Sequence, residues 1–133
     1  MTHIRYRALL WTYVALLIMV IVSRFFPNYS DNLASAYANE PQPWLLGNVW
    51  IAGFILGGLG VAVLAGFVGL FFFKNWARSL SLYLTFAGFL LHPFFGPSVS
   101  SGLETALVEA CATIWGAILA LSYFSPVSAR FGR

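Results

Sequence analysis

Residues 44–73 read WLLGNVWIAGFILGGLGVAVLAGFVGLFFF and contain no charged side chain. A helix of about 20 apolar residues is enough to cross the ~30 Å hydrocarbon layer of a bilayer. A helix over this whole stretch would rise about 45 Å, and helices buried in soluble proteins are rarely so long or so apolar on every side. The stretch therefore predicts a transmembrane helix that is tilted or has its ends among the lipid headgroups.

The composition of the whole chain indicates the same class of protein. Its 133 residues are 60% hydrophobic and 8% charged, whereas a soluble domain carries about 25% charged residues. So few charges cannot cover a soluble surface, and we expect one integral membrane domain. The net charge of +3 is divided among short separate segments, which argues against binding to nucleic acid.

Three further apolar segments complete the predicted fold. We expect an all-α, antiparallel four-helix membrane bundle, with helices at about residues 6–26, 44–73, 77–95 and 103–124. The polar residues 27–43 form the predicted outer loop, and the basic residues 74–78 form a tight turn. The first segment is an uncleaved helix in this interpretation, because the small-x-small cleavage sites lie too far beyond its apolar run. Ser101 and Glu104 have the spacing of a capping box at the start of the fourth helix.

The distribution of basic residues predicts the orientation of the bundle. Four crossings place both termini and the turn at residues 74–78 on one side of the membrane. That side would hold every Lys and Arg except Arg24, namely Arg5, Arg7, Lys74, Arg78, Arg130 and Arg133. Lys and Arg accumulate in short cytoplasmic segments, so both termini are expected in the cytoplasm. We expect a multi-pass protein of a bacterial inner membrane.

Small residues form two stripes on the second helix. One consists of Gly53, Gly57 and Gly60; the other, on nearly the opposite face, consists of Gly58, Ala62, Ala65 and Gly69. Small residues at this spacing let helix backbones approach closely in lipid, so both stripes are predicted helix-packing surfaces. The second stripe is the expected docking face for a partner helix, provided that the first and third helices leave it uncovered.

Four polar side chains are predicted to gather at the outer end of the bundle: Arg24, His92, Glu104 and Glu109. In this hypothesis Arg24 pairs with one of the two glutamates. For Glu104 we favour a role only at the helix start, where the dipole stabilises negative charge. Glu109 lies too deep to cap the helix, and a carboxylate there needs a partner or water. The small, mildly polar face around Glu109 is expected to point into the bundle, with Ile118 on the outer surface.

No sequence pattern indicates catalysis. The chain has no phosphate loop, dinucleotide glycine motif, nucleophile elbow or HExxH motif. A metal site needs three or four converging ligands, and only His92, Glu104 and Glu109 are expected on the outer side. Cys111 is interpreted as a small packing residue. We therefore expect neither enzymatic activity nor a metal or other cofactor.

Residues 70–127 resemble small, uncharacterised four-helix bacterial inner-membrane proteins. The resemblance rests on a basic turn with Trp76-Ala77-Arg78 ahead of the third helix, and on the run AILALSYFSP at the end of the fourth. In outline the chain is also similar to four-span immunity proteins, which protect a bacterium from its own pore-forming toxin. The expected function is helix-mediated binding of a membrane-protein partner, as an accessory subunit or an immunity-type protein. The alternative is a self-associating small transporter or channel with Glu109 in its path.

Overall fold

The computed structural model of the protein describes residues 3–26, 35–36, 39, 41, 47–95 and 100–131. These residues form four α-helices and no strand: α1 (His3–Ser23), α2 (Val49–Phe71), α3 (Asn75–Leu91) and α4 (Gly102–Phe124). A 3-10 turn, His92–Phe95, follows α3, and a second one, Pro126–Arg130, follows α4. The all-α prediction is confirmed for this part of the chain.

The helices associate in two compact units, of which one contains α1 and α4 and the other contains α2 and α3. In the first unit, α1 and α4 run antiparallel. The rings of Tyr6 and Phe131 meet edge to face with centroids 6.1 Å apart, and those of Tyr13 and Trp115 lie 5.1 Å apart. Residues early in α1 therefore contact residues after the end of α4, as an antiparallel pair requires.

The 3-10 turn after α4 brings the end of the described chain back onto α1. The Ser125 hydroxyl donates to the Leu121 carbonyl at 2.6 Å and accepts from the Val127 amide at 3.2 Å. Pro126 begins the turn, where its fixed φ and missing N–H cost nothing. As a result Val127 and Phe131 are buried together with Tyr6 and Leu10.

In the second unit, α2 and α3 form a closely packed hairpin. A Cβ added at Gly66 would lie 2.8 Å from the Ser81 hydroxyl oxygen, and one added at Gly69 would overlap the Cβ of Ala77. Because glycine has no side chain, the backbone of α2 approaches α3 directly at these two positions. Gly66, Gly69, Ala77 and Ser81 are all buried.

The turn of this hairpin is a Schellman motif. The Lys74 amide donates to the Gly69 carbonyl at 2.8 Å, and the Phe73 amide donates to the Leu70 carbonyl at 3.1 Å. Phe73 occupies the left-handed position with φ 57°, which glycine usually fills. Lys74 has an extended backbone and leads directly into α3.

Most predicted helix bounds agree with the structure to within a few residues, with two corrections. The basic turn was placed too late: α3 begins at Asn75, so Trp76, Ala77 and Arg78 belong to its first turn. The third helix was also predicted to remain one helix to residue 95, but it changes to a 3-10 turn at His92. Pro93 has no N–H to continue the α-helical hydrogen bonds. Of the outer loop at 27–43, residues 27–34, 37–38, 40 and 42–43 lie outside the described part.

Three helical segments in the described chain are long and apolar enough to cross a membrane: Ile4–Ser23, Val49–Phe71 and Gly102–Phe124. This finding supports the assignment to membrane proteins. Although each helix pair is antiparallel, the prediction of one four-helix transmembrane domain stays a prediction.

Candidate functional site

The predicted outer cluster contains one ion pair. Arg24 follows the last residue of α1, and its Nε donates to Oε1 of Glu104 in the first turn of α4 at 2.9 Å. The Arg24 side chain is 71% exposed, whereas that of Glu104 is 12% exposed. A pair with one partner in solvent contributes about 0–1 kcal/mol, so it specifies the register of the two helices more than it stabilises them.

Glu104 also lies at the helix start predicted from the capping pattern. The Ser101 hydroxyl accepts a hydrogen bond from the Glu104 amide at 3.1 Å, which satisfies one free N–H of the first turn. The Glu104 carboxylate forms an ion pair with Arg24 and so does more than stabilise the N-terminus of α4. The interpretation that Glu104 serves that start alone is therefore wrong, as is the alternative of an unpaired Arg24.

Glu109 has a different environment. It lies seven residues beyond the start of α4, about 10 Å along the helix axis, and its side chain is exposed. Its backbone carbonyl accepts the Thr113 hydroxyl at 2.9 Å. No basic residue in the described chain forms an ion pair with its carboxylate. Arg24, a candidate partner in the sequence hypothesis, binds Glu104.

The residues around Glu109 form an outward face of α4, which we call the Glu109 face. Apart from half-buried Ala110 its members are exposed: Ala106, Glu109, Thr113, Gly116, Ala117 and Ala120. Within the α1–α4 unit this face is exposed, whereas Ile118, which was expected on the outer surface, is fully buried. The Tyr13 ring of α1 packs instead against Trp115 of α4, with centroids 5.1 Å apart. That the Glu109 face points into a four-helix bundle stays a prediction.

The two predicted glycine stripes have different places in the hairpin. A Cβ at Gly53, Gly57, Gly58 or Gly60 would meet nothing within 4 Å. Gly69, in contrast, packs against Ala77 and Trp76, while Ala62 is half-buried and Ala65 is exposed. The third helix therefore covers the second stripe at Gly69, and docking on the rest of that stripe stays a prediction. The first stripe as an interface stays a prediction.

Sequence reasoning missed Gly66, where an added Cβ would lie 2.8 Å from the Ser81 hydroxyl oxygen. It also missed the groove beside α2, which Ala65 and Gly69 of the second stripe line together with Lys74 and Trp76. His92 is exposed at the start of the 3-10 turn after α3. Its membership of an outer cluster with Arg24 stays a prediction.

The described residues contain no group of three or more His, Cys, Asp or Glu side chains arranged to hold a metal ion. No protein-family model, curated protein or solved structure matches this chain. The class of the protein is therefore inferred from its helices alone. It is all-helical in its described part, and three of its segments are able to cross a membrane.

Proposed function

We propose that this chain is a four-pass protein of a bacterial inner membrane that binds a second membrane protein through the Glu109 face. It would act there as an accessory subunit or an immunity-type protein. The observation that carries the proposal is an ionisable side chain on an uncovered, small-residue face of an apolar helix.

The antiparallel packing of α1 and α4 supports an even number of crossings. If only α1, α2 and α4 crossed, the chain would cross three times with two reversals of direction, and α1 would run parallel to α4. The ion pair and the Tyr6–Phe131 contact require the opposite direction. A crossing by α3 removes the conflict.

The length of α3 is compatible with a crossing when the following 3-10 turn is included. Its 17 residues rise about 26 Å, and the four residues of the 3-10 turn add about 8 Å. The sum of about 34 Å exceeds the ~30 Å hydrocarbon layer. Both termini and Lys74 would then share the cytoplasmic side that the distribution of Lys and Arg predicts.

The cost of exposing Glu109 to lipid is the physical reason for a partner. A charged side chain at the centre of a spanning helix costs about 2.5–3.5 kcal/mol on insertion scales, and Glu109, about two turns inside α4, would bear part of that cost. A partner helix with a hydrogen-bond donor or cation would offset this cost. Ala106, Gly116 and Ala117 would let the partner backbone approach closely.

Gly116→Leu tests this surface, with Gly57→Leu as its matched control. A Cβ meets nothing within 4 Å at either glycine, so we expect both variants to keep the melting temperature of the wild type. Gly116→Leu should nevertheless remove the partner from complexes isolated in mild detergent, because leucine fills the space that the partner occupies. Quantitative mass spectrometry of the isolated complexes measures the ratio of partner to chain.

Loss of the partner from Gly57→Leu but not from Gly116→Leu would reject the Glu109 face and favour the first glycine stripe. Recovery of nothing but further copies of this chain would favour the alternative, a self-associating transporter or channel with Glu109 in its path. In that case Glu109→Gln should abolish flux in proteoliposomes while assembly persists.

A further inference from the structure

A groove runs beside the C-terminal half of α2 in the α2–α3 unit. Its volume is about 540 Å³, and Val61, Leu64, Val68 and Phe72 form its apolar side. Lys74 and Trp76 lie at one end. The groove is shallow and open along its length, so a ligand in it would keep one side toward the surroundings.

Close packing at Gly69 shapes this end of the groove. A Cβ at Gly69 would lie 3.2 Å from two atoms of the Trp76 ring, Cη2 and Cζ2. The absence of a side chain thus lets the indole lie against α2, next to the apolar side chains. The groove is therefore apolar along α2, and its end near the α2–α3 turn carries the Trp76 ring and the Lys74 side chain.

The cation at this end of the groove is the ammonium group of Lys74. Lys74 is exposed, and no carboxylate in the described residues forms an ion pair with it. A Trp beside a Lys at the end of an apolar helix is typical of the membrane–water interface. These side chains suit a ligand with a negative head and an apolar tail.

The length of the groove indicates how deep the tail would reach. From Val61 to Phe72 the helix rises about 16 Å, which is about half of the ~30 Å hydrocarbon layer. That is the depth of one leaflet. A partner helix would continue through both leaflets, whereas a lipid chain ends near the bilayer centre.

We propose that this groove binds one anionic phospholipid, with an acyl chain along Val61, Leu64 and Val68 and its phosphate at Lys74. Basic pockets on the cytoplasmic side of spanning helices bind anionic headgroups in this way. None of the residues that line the groove belongs to the Glu109 face. The lipid site rests on the proposed crossing by α2 but does not depend on partner binding.

Native mass spectrometry of the protein, loaded with phosphatidylglycerol or phosphatidylcholine, tests the proposal. The wild type should retain one phosphatidylglycerol in preference to phosphatidylcholine. Lys74→Gln should reduce that preference about fivefold, the ratio that about 1 kcal/mol per basic side chain gives. Ala65→Phe, which adds a ring to an exposed residue lining the groove, should lower retention of both lipids.

Arg5→Gln is the control, because it removes one exposed charge from the same proposed side of the membrane; it should leave the preference unchanged. An equal loss in Arg5→Gln and Lys74→Gln would overturn the site in favour of general attraction to anionic lipid. Unchanged lipid retention in Ala65→Phe would also overturn the proposed site. So would a photo-reactive residue placed at Val68 that captures a protein and no lipid. Lys74→Gln should still recover the partner in the Gly116 experiment, so the two proposals fail independently.

Discussion

Gly69→Ala should lower the free energy of unfolding by about 1–3 kcal/mol, the usual cost of overpacking. The added methyl group would overlap the Cβ of Ala77 and lie against the Trp76 ring. Both Cβ atoms are fixed to helix backbones, so no rotamer change relieves the overlap. The helices α2 and α3 must separate instead, and they lose the close contact between Gly66 and Ser81. Thermal unfolding in a mild detergent, followed by circular dichroism, measures the loss.

Gly57→Ala is the matched control on the same helix. Nothing lies within 4 Å of its added methyl group, and alanine favours helix over glycine by up to about 1 kcal/mol. Its melting temperature should equal or exceed that of the wild type. Equal melting temperatures for Gly69→Ala and Gly57→Ala would contradict the close approach of α2 and α3.

Phe131→Ala should have the larger effect, a loss of about 3–5 kcal/mol as is usual for a buried phenylalanine. Phe131 is 1% exposed and contacts fully buried Tyr6 edge to face, with interplanar angle 86°. Removal of the ring leaves a cavity beside Tyr6 at the end of the α1–α4 pair. The same detergent unfolding experiment measures the change.

Phe124→Ala serves as the control, since Phe124 belongs to the same residue type and is 91% exposed. We expect its effect on unfolding to stay within about 0.5 kcal/mol, as for other exposed positions. If the two variants unfold at the same temperature, the packing of the 3-10 turn onto α1 is not a stabilising contact.

Local signals in the sequence were sufficient for the elements themselves. The uncharged run at residues 44–73 and the pair Ser101 and Glu104 each depend on neighbouring residues only. For that reason α4 was predicted within one residue of its observed start, with the cap at Ser101. The change to a 3-10 turn at His92 also has a local cause, Pro93, although the third helix was predicted to continue to residue 95.

The packing faces of α2 were not predictable from its own periodicity. The helix is apolar on every side, so the lipid-facing and helix-facing surfaces have the same composition. A signal did exist in the hairpin as a whole. Gly69 and Ala77 are each four residues from Phe73, and Gly66 and Ser81 lie at nearly equal distances from it. These are two pairs of small residues at matching distances on either side of the hairpin turn. They indicate which face of α2 packs against which face of α3.

The sequence by itself determined that the described part of the chain is all-helical and that three of its helices are long and apolar enough to cross a membrane. It could do so because hydrophobicity and helix capping depend on residues that are close together in the chain. Only the tertiary structure decided that Arg24 binds Glu104 while Glu109 is exposed, and that Gly66 and Gly69, not Gly53 and Gly57, pack against α3. These outcomes depend on the register and rotation of one helix against another. A helix that is apolar on all sides does not encode that rotation in its own pattern.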